Sequence, residues 1–560
     1  MINILSLAWC IAIVTGHFHF EHEVFLDRDE NIKLLWSVED DNITFEVRAN
    51  TTGYVGIGFS TNGGMRGADI ILGWVKEGTP YISDRHGIGN EEPVVDVQKD
   101  VELLYGSETD DLTILGFRRK LLTCDPDDND IGSDTIRVIW AYHPDDPEDT
   151  EVVYHGPQRR GVRSIIFIGV LSAEVLQDAM TDDVLSMDLV NEHTLIPSGD
   201  TTYWCTHYEL TMLPGPHHII RIEPVVEPGN EGFVHHMNLI ECYEDLSINS
   251  NSSLDCRSEN MFRYRSCEKV VYGWAVGGGP LVFPEQAGYP VGARGDVRYF
   301  QLQVHYDNPQ LLQGSRDNSG VRIYYTPKLR QYDASMLVTG LPSFVTFVIP
   351  PKEEAFTLQG TCERKCSEEM FTEGDLRVFS IILHAHLAAT GIRLTHYRNG
   401  EYIGEIARDT TYDFNLQEQR YLKEEWIVKP GDDLFVECTY NTMDREAATF
   451  SGAATTDEMC LAFLSYYPKA NAGKCYNTPN PNTLEKLLNL GDLKNQSLHE
   501  AIYNLEWTSD RRDGIREWYR TSRVSLCTNH SGLPIFSVED ISLGRVRISF
   551  YFIFSKIQNY

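Results

Sequence analysis

The chain has 560 residues, 42% of them hydrophobic, and sets Lys+Arg 48 against Asp+Glu 82 for a net charge of -34. That length calls for a few domains rather than one core, and the apolar content is that of a globular protein rather than a disordered one. A surface this acidic repels phosphate backbones and anionic lipid, which excludes nucleic acid as a partner and suits solubility in a secretory lumen.

In chain order, residues 1–16 read as a signal peptide. Leu5 to Val14 is a short apolar run and Thr15-Gly16 a small-residue cleavage zone, although no Lys or Arg precedes the run. Neither this run nor Ile548 to Phe554 is long enough for a membrane span, and no lipid-anchor tail or Lys-Asp-Glu-Leu signal is present. The expected location is the secretory pathway, either the endoplasmic reticulum lumen or outside the cell. Cleavage after Gly16 would let the new amino group and His17 chelate copper together; a frayed, solvated terminus is the alternative.

Residues 20–160 alternate short strands with Gly- and Asp-rich turns. Ile43 to Val47, Tyr54 to Phe59, Ile70 to Val75 and Thr135 to Tyr142 read as strands of a β-sandwich. The acidic stretches Asp125 to Asp130 and Asp145 to Glu151 are either oxygen-ligand sites for Ca²⁺ or solvated turns. Residues 161–190 look like a linker. From Asp200 to about Pro468 strands return, as in Thr202 to Cys205, His218 to Ile222, Phe300 to Tyr306, Val378 to Ala388, Gly391 to Tyr397 and Asp433 to Thr439. Helical periodicity first shows at Thr483 to Leu490, so the bulk of the chain is expected to be β, with no solenoid repeat.

Sequons starting at Asn42, Asn50, Asn251, Asn495 and Asn529 mark candidate glycosylation sites and agree with entry into the secretory pathway. Of 12 cysteines, Cys10 leaves with the signal, and the rest show no zinc-finger pairing; disulfides in an oxidising compartment are the natural expectation. The remaining number is odd, so at least one cysteine has no partner within the chain.

The chemistry is concentrated in His235-His236-Met237, His305, His384-Ala385-His386 and Met459. Imidazole accepts both copper oxidation states, while a thioether favours Cu(I). On a strand, His384 and His386 project from one face and can share a metal; a hydrogen-bonded surface pair is the alternative. Adjacent His235 and His236 face opposite sides of a regular strand, so they share a metal only where the strand bends. A second adjacent pair, His217-His218, is equally open on these grounds. Gln301, Gln303 and His305 share the polar face of their strand. Met459 is supported by Cys460, since a disulfide there would hold its backbone still.

These segments resemble a known family. Asp200-Thr-Thr-Tyr-Trp-Cys205, Val234-His-His-Met237, Val304-His-Tyr-Asp-Asn-Pro309, Leu383-His-Ala-His-Leu387 and Glu458-Met-Cys460 are similar to the copper type II, ascorbate-dependent monooxygenases, within them the dopamine β-hydroxylase-like subgroup. Gly53-Tyr-Val-Gly-Ile-Gly-Phe-Ser60 and Val138-Ile-Trp-Ala-Tyr-His143 resemble the family's DOMON domain, and the similarity runs from about Phe20 to Leu505. The implied fold is mainly β: an N-terminal immunoglobulin-like β-sandwich at 20–160, then two jelly-roll-like β-sandwich copper domains at 191–326 and 327–500, with a divergent tail at 501–560.

The resemblance implies that His235, His236 and His305 bind a first, electron-transfer copper, and that His384, His386 and Met459 bind a second, catalytic one. His217-His218 matches a pair that binds no copper, and Gln303 takes a supporting position between the sites. Ascorbate is the implied reductant, O2 the oxidant, and a C–H bond of a small molecule the target; the acidic charge would suit an amine. The implied disulfides are Cys205–Cys256, Cys242–Cys267, Cys362–Cys475, Cys438–Cys460 and Cys366–Cys527. Cys124 is left over and would allow a disulfide-linked homodimer. The competing expectation is a non-catalytic secreted protein that holds copper, or that carries sugar or haem in the DOMON domain with Met65 and His143 as axial ligands.

Overall fold

The computed structural model describes residues 19–529, apart from 149–150, 172–182, 211–212, 214, 243–252, 257–266, 293–296, 298, 344–346, 480–482, 491–496 and 522. The signal peptide, Cys10, His17, Asn251, Asn495 and the run Ile548 to Phe554 lie outside the described residues. Strands predominate and group into two compact units. The first comprises the chain up to Asp130 and Arg137–Arg163; the second comprises Ile131–Ile136, Ser164–Leu171 and the chain from Val175 on. No described helix is long and apolar enough to cross a membrane.

The first unit is built from two antiparallel sheets. One orders His22–Phe25, Ile32–Glu39, Asn42–Ala49, Thr113–Lys120 and Val101–Glu108; the other centres on Val55–Ser60 and Asp69–Lys76. Alternation along Asn42–Ala49 places Ile43, Phe45 and Val47 in the core, and the Phe45 ring meets Phe59 of the opposite sheet at 5.4 Å and Phe117 at 5.3 Å. The acidic stretch Asp125 to Asp130 is not simply solvated. Asp128 lies with the buried Asp69 and Asp84, and Arg119 pairs with Asp69 and stands 3.8 Å from Asp128.

Burial pushes Asp69 up to about 7, despite Arg119, and Asp84 up to about 6. Both folded values lie above the ordinary carboxylate value, so their contribution is fully present below about pH 4 and is lost as pH rises through 6 to 7. Calorimetry should therefore show this unit melting at a higher temperature at pH 5 than at pH 7.5, and Asp84→Asn should narrow that difference. Equal narrowing by a surface Asp→Asn control would remove the buried cluster as its cause.

The second unit contains two halves. In the first half, a sheet orders Ser253–Asp255, Thr201–Glu209, Tyr299–Asp307, Val234–Cys242 and Cys267–Ala275. Its inner face carries Leu239, Leu302, Val304 and Tyr306, all fully buried in one cluster with Ile219, Ile222 and Ile323 of the neighbouring sheet. In the second half, a six-stranded sheet runs Arg420–Val428, Leu376–Ala385, Cys460–Tyr467, Ser335–Leu341, Lys474–Pro479 and Arg523–Cys527, and a four-stranded sheet centres on Asp432–Tyr440 and Ala389–Arg398. Leu337, Leu358, Leu394 and Leu464 fill the core of this half.

Residues from 501 on, expected as a divergent tail, are partly built into this half. Leu498–Tyr503 and Ser509–Thr521 are helices, and Ile502, Ile515, Trp518 and Cys527 are buried in its core. The helix Ser509–Thr521 escapes a periodicity reading because charged residues fill most of it. Its inward anchors are few, among them Ile515 and Trp518, whose indole N–H donates to Thr483 Oγ1 at 2.7 Å. Five disulfides join Cys205–Cys256, Cys242–Cys267, Cys362–Cys475, Cys366–Cys527 and Cys438–Cys460, and Cys124 is free and exposed.

Candidate metal centres

Val234 pairs with Tyr306, but the next partner of His305 is His236, so the register shifts and His235 is the extra residue. A β-bulge of this kind turns a side chain out of the regular alternation. It solves the difficulty of two adjacent histidines: both reach the side where His305 lies. The Nδ1 atoms of His235 and His236 are 3.2 Å apart, and those of His236 and His305 are 3.1 Å apart.

A hydrogen bond needs one protonated and one bare nitrogen. Three Nδ1 atoms that converge on one point cannot all satisfy one another, whereas a shared cation satisfies them together. Burial pushes His235 down to about 4 and His236 well below the usual imidazole range, with neighbouring imidazoles adding to the effect. The rings are therefore neutral at physiological pH, the form that ligates metal. Tyr203 stacks on His305 at 4.6 Å and fixes the third ring.

The second cluster is arranged differently. The strand Leu376–Ala385 ends between His384 and His386, so the two rings do not simply share a strand face; they stand perpendicular with centroids 5.3 Å apart. Hydrogen bonds set both tautomers. His384 Nδ1–H donates to Gln417 Oε1 at 2.5 Å, and His386 Nδ1–H donates to the Asp457 carbonyl at 3.0 Å, which leaves both Nε2 atoms bare. The Tyr412 hydroxyl donates to the Ala385 carbonyl at 2.8 Å and accepts from the Ala385 N–H at 3.1 Å, pinning the peptide between the two histidines. Burial pushes His386 down to about 3 and lowers His384.

Met459 is tied to this pair through Glu458. The buried Glu458 carboxylate accepts the N–H groups of His386 at 2.9 Å, Ala388 at 2.6 Å and Met459 at 3.4 Å. The Tyr440 hydroxyl donates to the Met459 carbonyl at 2.6 Å, and Cys460 is locked to Cys438. Residue Glu458 was visible in the sequence only as a neighbour of Met459; Gln417 and Tyr412 gave no signal, because a polar loop far along the chain supplies them.

The pair His217-His218 is engaged elsewhere. His217 Nδ1 lies 2.8 Å from the Gly215 carbonyl; His218 Nε2 lies 2.9 Å from Asp333 Oδ1, and its Nδ1 accepts the Arg330 N–H at 3.0 Å. Gln303 accepts a hydrogen bond from Asn238 Nδ2 at 3.4 Å. In the first unit, Met65 lines a cavity of about 370 Å³ with Tyr54, Trp140 and His155. His143 stacks on Tyr54 of that lining with centroids 5.8 Å apart, and its Nδ1 accepts the Asp145 N–H at 3.1 Å.

Three family patterns match: the DOMON domain at residues 28–143, and the N-terminal and C-terminal domains of copper type II ascorbate-dependent monooxygenases at 187–313 and 332–488. Human "DBH-like monooxygenase protein 1" is 38% identical over 520 residues, covering 89% of this chain and 83% of that protein. The chain belongs to the copper type II ascorbate-dependent monooxygenases. Mouse "DBH-like monooxygenase protein 2" is 37% identical over 87% of this chain and 78% of its own length, and human "Dopamine beta-hydroxylase" 31% identical over 92% and 86%. The chain is thus a monooxygenase with copper as its metal and ascorbate as its reductant. Both histidine clusters fall inside the two matched copper-domain ranges, and the donor set of imidazoles and one thioether suits copper.

Proposed function

We propose that His235, His236 and His305 hold one copper through their Nδ1 atoms, and that His384, His386 and Met459 hold a second. The enzyme then hydroxylates a C–H bond of a small molecule, with amines as the substrate class favoured by its acidic surface. The copper supplies one-electron redox chemistry and activation of O2; the chain supplies the geometry. The observation that carries the assignment is the convergence of three imidazoles on one point, with burial holding His235 and His236 in their neutral form. Gln417, Asp457 and Glu458 orient the second pair of imidazoles and hold the Met459 backbone.

The five disulfides and the sequons at Asn42, Asn50 and Asn529 support a site of action in the secretory pathway. A homodimer linked through the exposed Cys124 belongs to the same proposal; wild type should lose a dimer band on non-reducing gels when Cys124→Ser is introduced. The central test is copper analysis of the purified chain, together with ascorbate-dependent O2 uptake across a panel of amines and phenols. Two coppers per chain and uptake coupled to hydroxylation of an amine are expected. Binding of fewer than two coppers would refute the ligand assignment, and coupling only to non-amine substrates would refute the amine class.

A further inference from the structure

One side chain touches both histidine clusters. Phe414 stacks on His235 of the first cluster, with centroids 4.6 Å apart and planes 21° apart, and sets its edge against His386 of the second at 5.8 Å and 82°. Both are favourable geometries for aromatic rings, and Phe414 is almost wholly buried in making them.

The loop 410–419 that carries Phe414 is fixed along its length. Asp409, where the loop begins, is fully buried and accepts hydrogen bonds from Thr135 N–H, Thr135 Oγ1, Thr411 N–H and Arg420 Nη2. Tyr412 is bonded in both directions to the Ala385 peptide. Gln417 accepts from His384 with its oxygen and donates with its nitrogen to the Phe414 carbonyl at 2.8 Å. On the side of the first half, Leu416 packs so closely on Gly277 that a Cβ there would lie 2.7 Å from Leu416 Cδ1. One loop therefore orients a ligand of the second cluster while covering a ligand of the first.

We propose that Phe414 is a positioning residue for the pair of copper centres: set against both His235 and His386, it fixes how the two ligand groups stand toward one another. This rests on the two-copper assignment. A truncated side chain would release the His235 ring from its stack and remove the contact to His386, so the two ligand groups would lose their common reference. The substitution should act on the coupling between the metals rather than on the binding of either.

The test uses the full chain loaded with Cu(II), with electron paramagnetic resonance reading the dipolar coupling between the metals. Phe414→Leu keeps much of the volume and Phe414→Tyr keeps the ring. Wild type and Phe414→Tyr are expected to share one coupling. Phe414→Leu should retain two coppers but show a weakened or broadened coupling, and its kcat should fall on the order of a hundredfold while KM changes little. Gly277→Ala, which pushes on Leu416 from the other side, should shift the coupling in the same assay. Two bound coppers with unchanged coupling and kcat in Phe414→Leu would overturn this inference alone; a wild-type chain binding fewer than two coppers would overturn the assignment beneath it as well.

Discussion

His386→Ala is expected to leave one copper per chain instead of two and to reduce hydroxylation to below about 1% of wild type. Loss of a supporting group around a metal already costs roughly 10–100-fold, and here a proposed ligand itself is removed. His386 is buried, its tautomer is set by Asp457, and its backbone is held by Glu458, so alanine leaves no donor at the position those bonds fix. His305→Ala should also bind one copper, but should retain the one near Met459. The two variants are distinguished by X-ray absorption on the reduced protein, where a sulfur ligand should persist in His305→Ala and vanish in His386→Ala. Retention of two coppers by His386→Ala, or of the sulfur signal, would show that Met459 and His386 do not share a metal.

The second large effect is expected at Glu458. Its carboxylate accepts three backbone N–H groups inside the protein, and Glu458→Ala leaves all three without an acceptor. Burial raises Glu458 to about 7, so each hydrogen bond contributes about 0.5–1.5 kcal/mol, rising toward about 3 where the carboxylate is ionised, and stranded buried donors carry their own desolvation cost. Allowing for relaxation and water entry, a loss of about 3–5 kcal/mol is expected, measured by chemical denaturation. Copper at the second centre should weaken by roughly 10–100-fold, read by chelator competition, while the first centre keeps its affinity. Glu458→Gln should fall between the two, since one amide oxygen can still accept. Equal weakening of both centres would mean that Glu458 supports the fold at large rather than the segment joining His386 to Met459.

Much of this architecture was legible before any coordinates. Strict alternation along Phe300 to Tyr306 assigns Leu302, Val304 and Tyr306 to the core and His305 to the opposite face, because strand periodicity is a local property. The pairing of His235 with His236 was not legible in that way. A bulge is a relation between two strands, and nothing in the residues Val234 to Met237 states which partner each will meet; the family resemblance named the pair, and the register shift explains it. His384 and His386 were expected to share a strand face, but the strand ends between them, and hydrogen bonds from Gln417 and Asp457 do the orienting. Gln417 and Phe414 were invisible for a simpler reason: they sit in a loop whose sequence looks like any polar turn, and only the closure of the fold brings it to the histidines. The helix Ser509–Thr521 was missed because a few inward anchors among many charges do not make a periodic stripe.

The bulge at His235 has a further consequence for how such a centre can arise and be lost. With His235 removed, the remaining chain could pair with Tyr299–Asp307 in unbroken register, His236 still opposite His305. Two facing imidazoles would remain, and the third would be gone. A regular strand carrying one histidine opposite another is thus a single inserted codon away from a three-imidazole cluster. Ancestral sheets need not have been rebuilt to acquire this centre; a duplicated histidine codon at one strand position would supply it. The same arithmetic makes a one-codon deletion, which leaves the core face of the sheet untouched, a quieter route to an inactive relative than any substitution in the core.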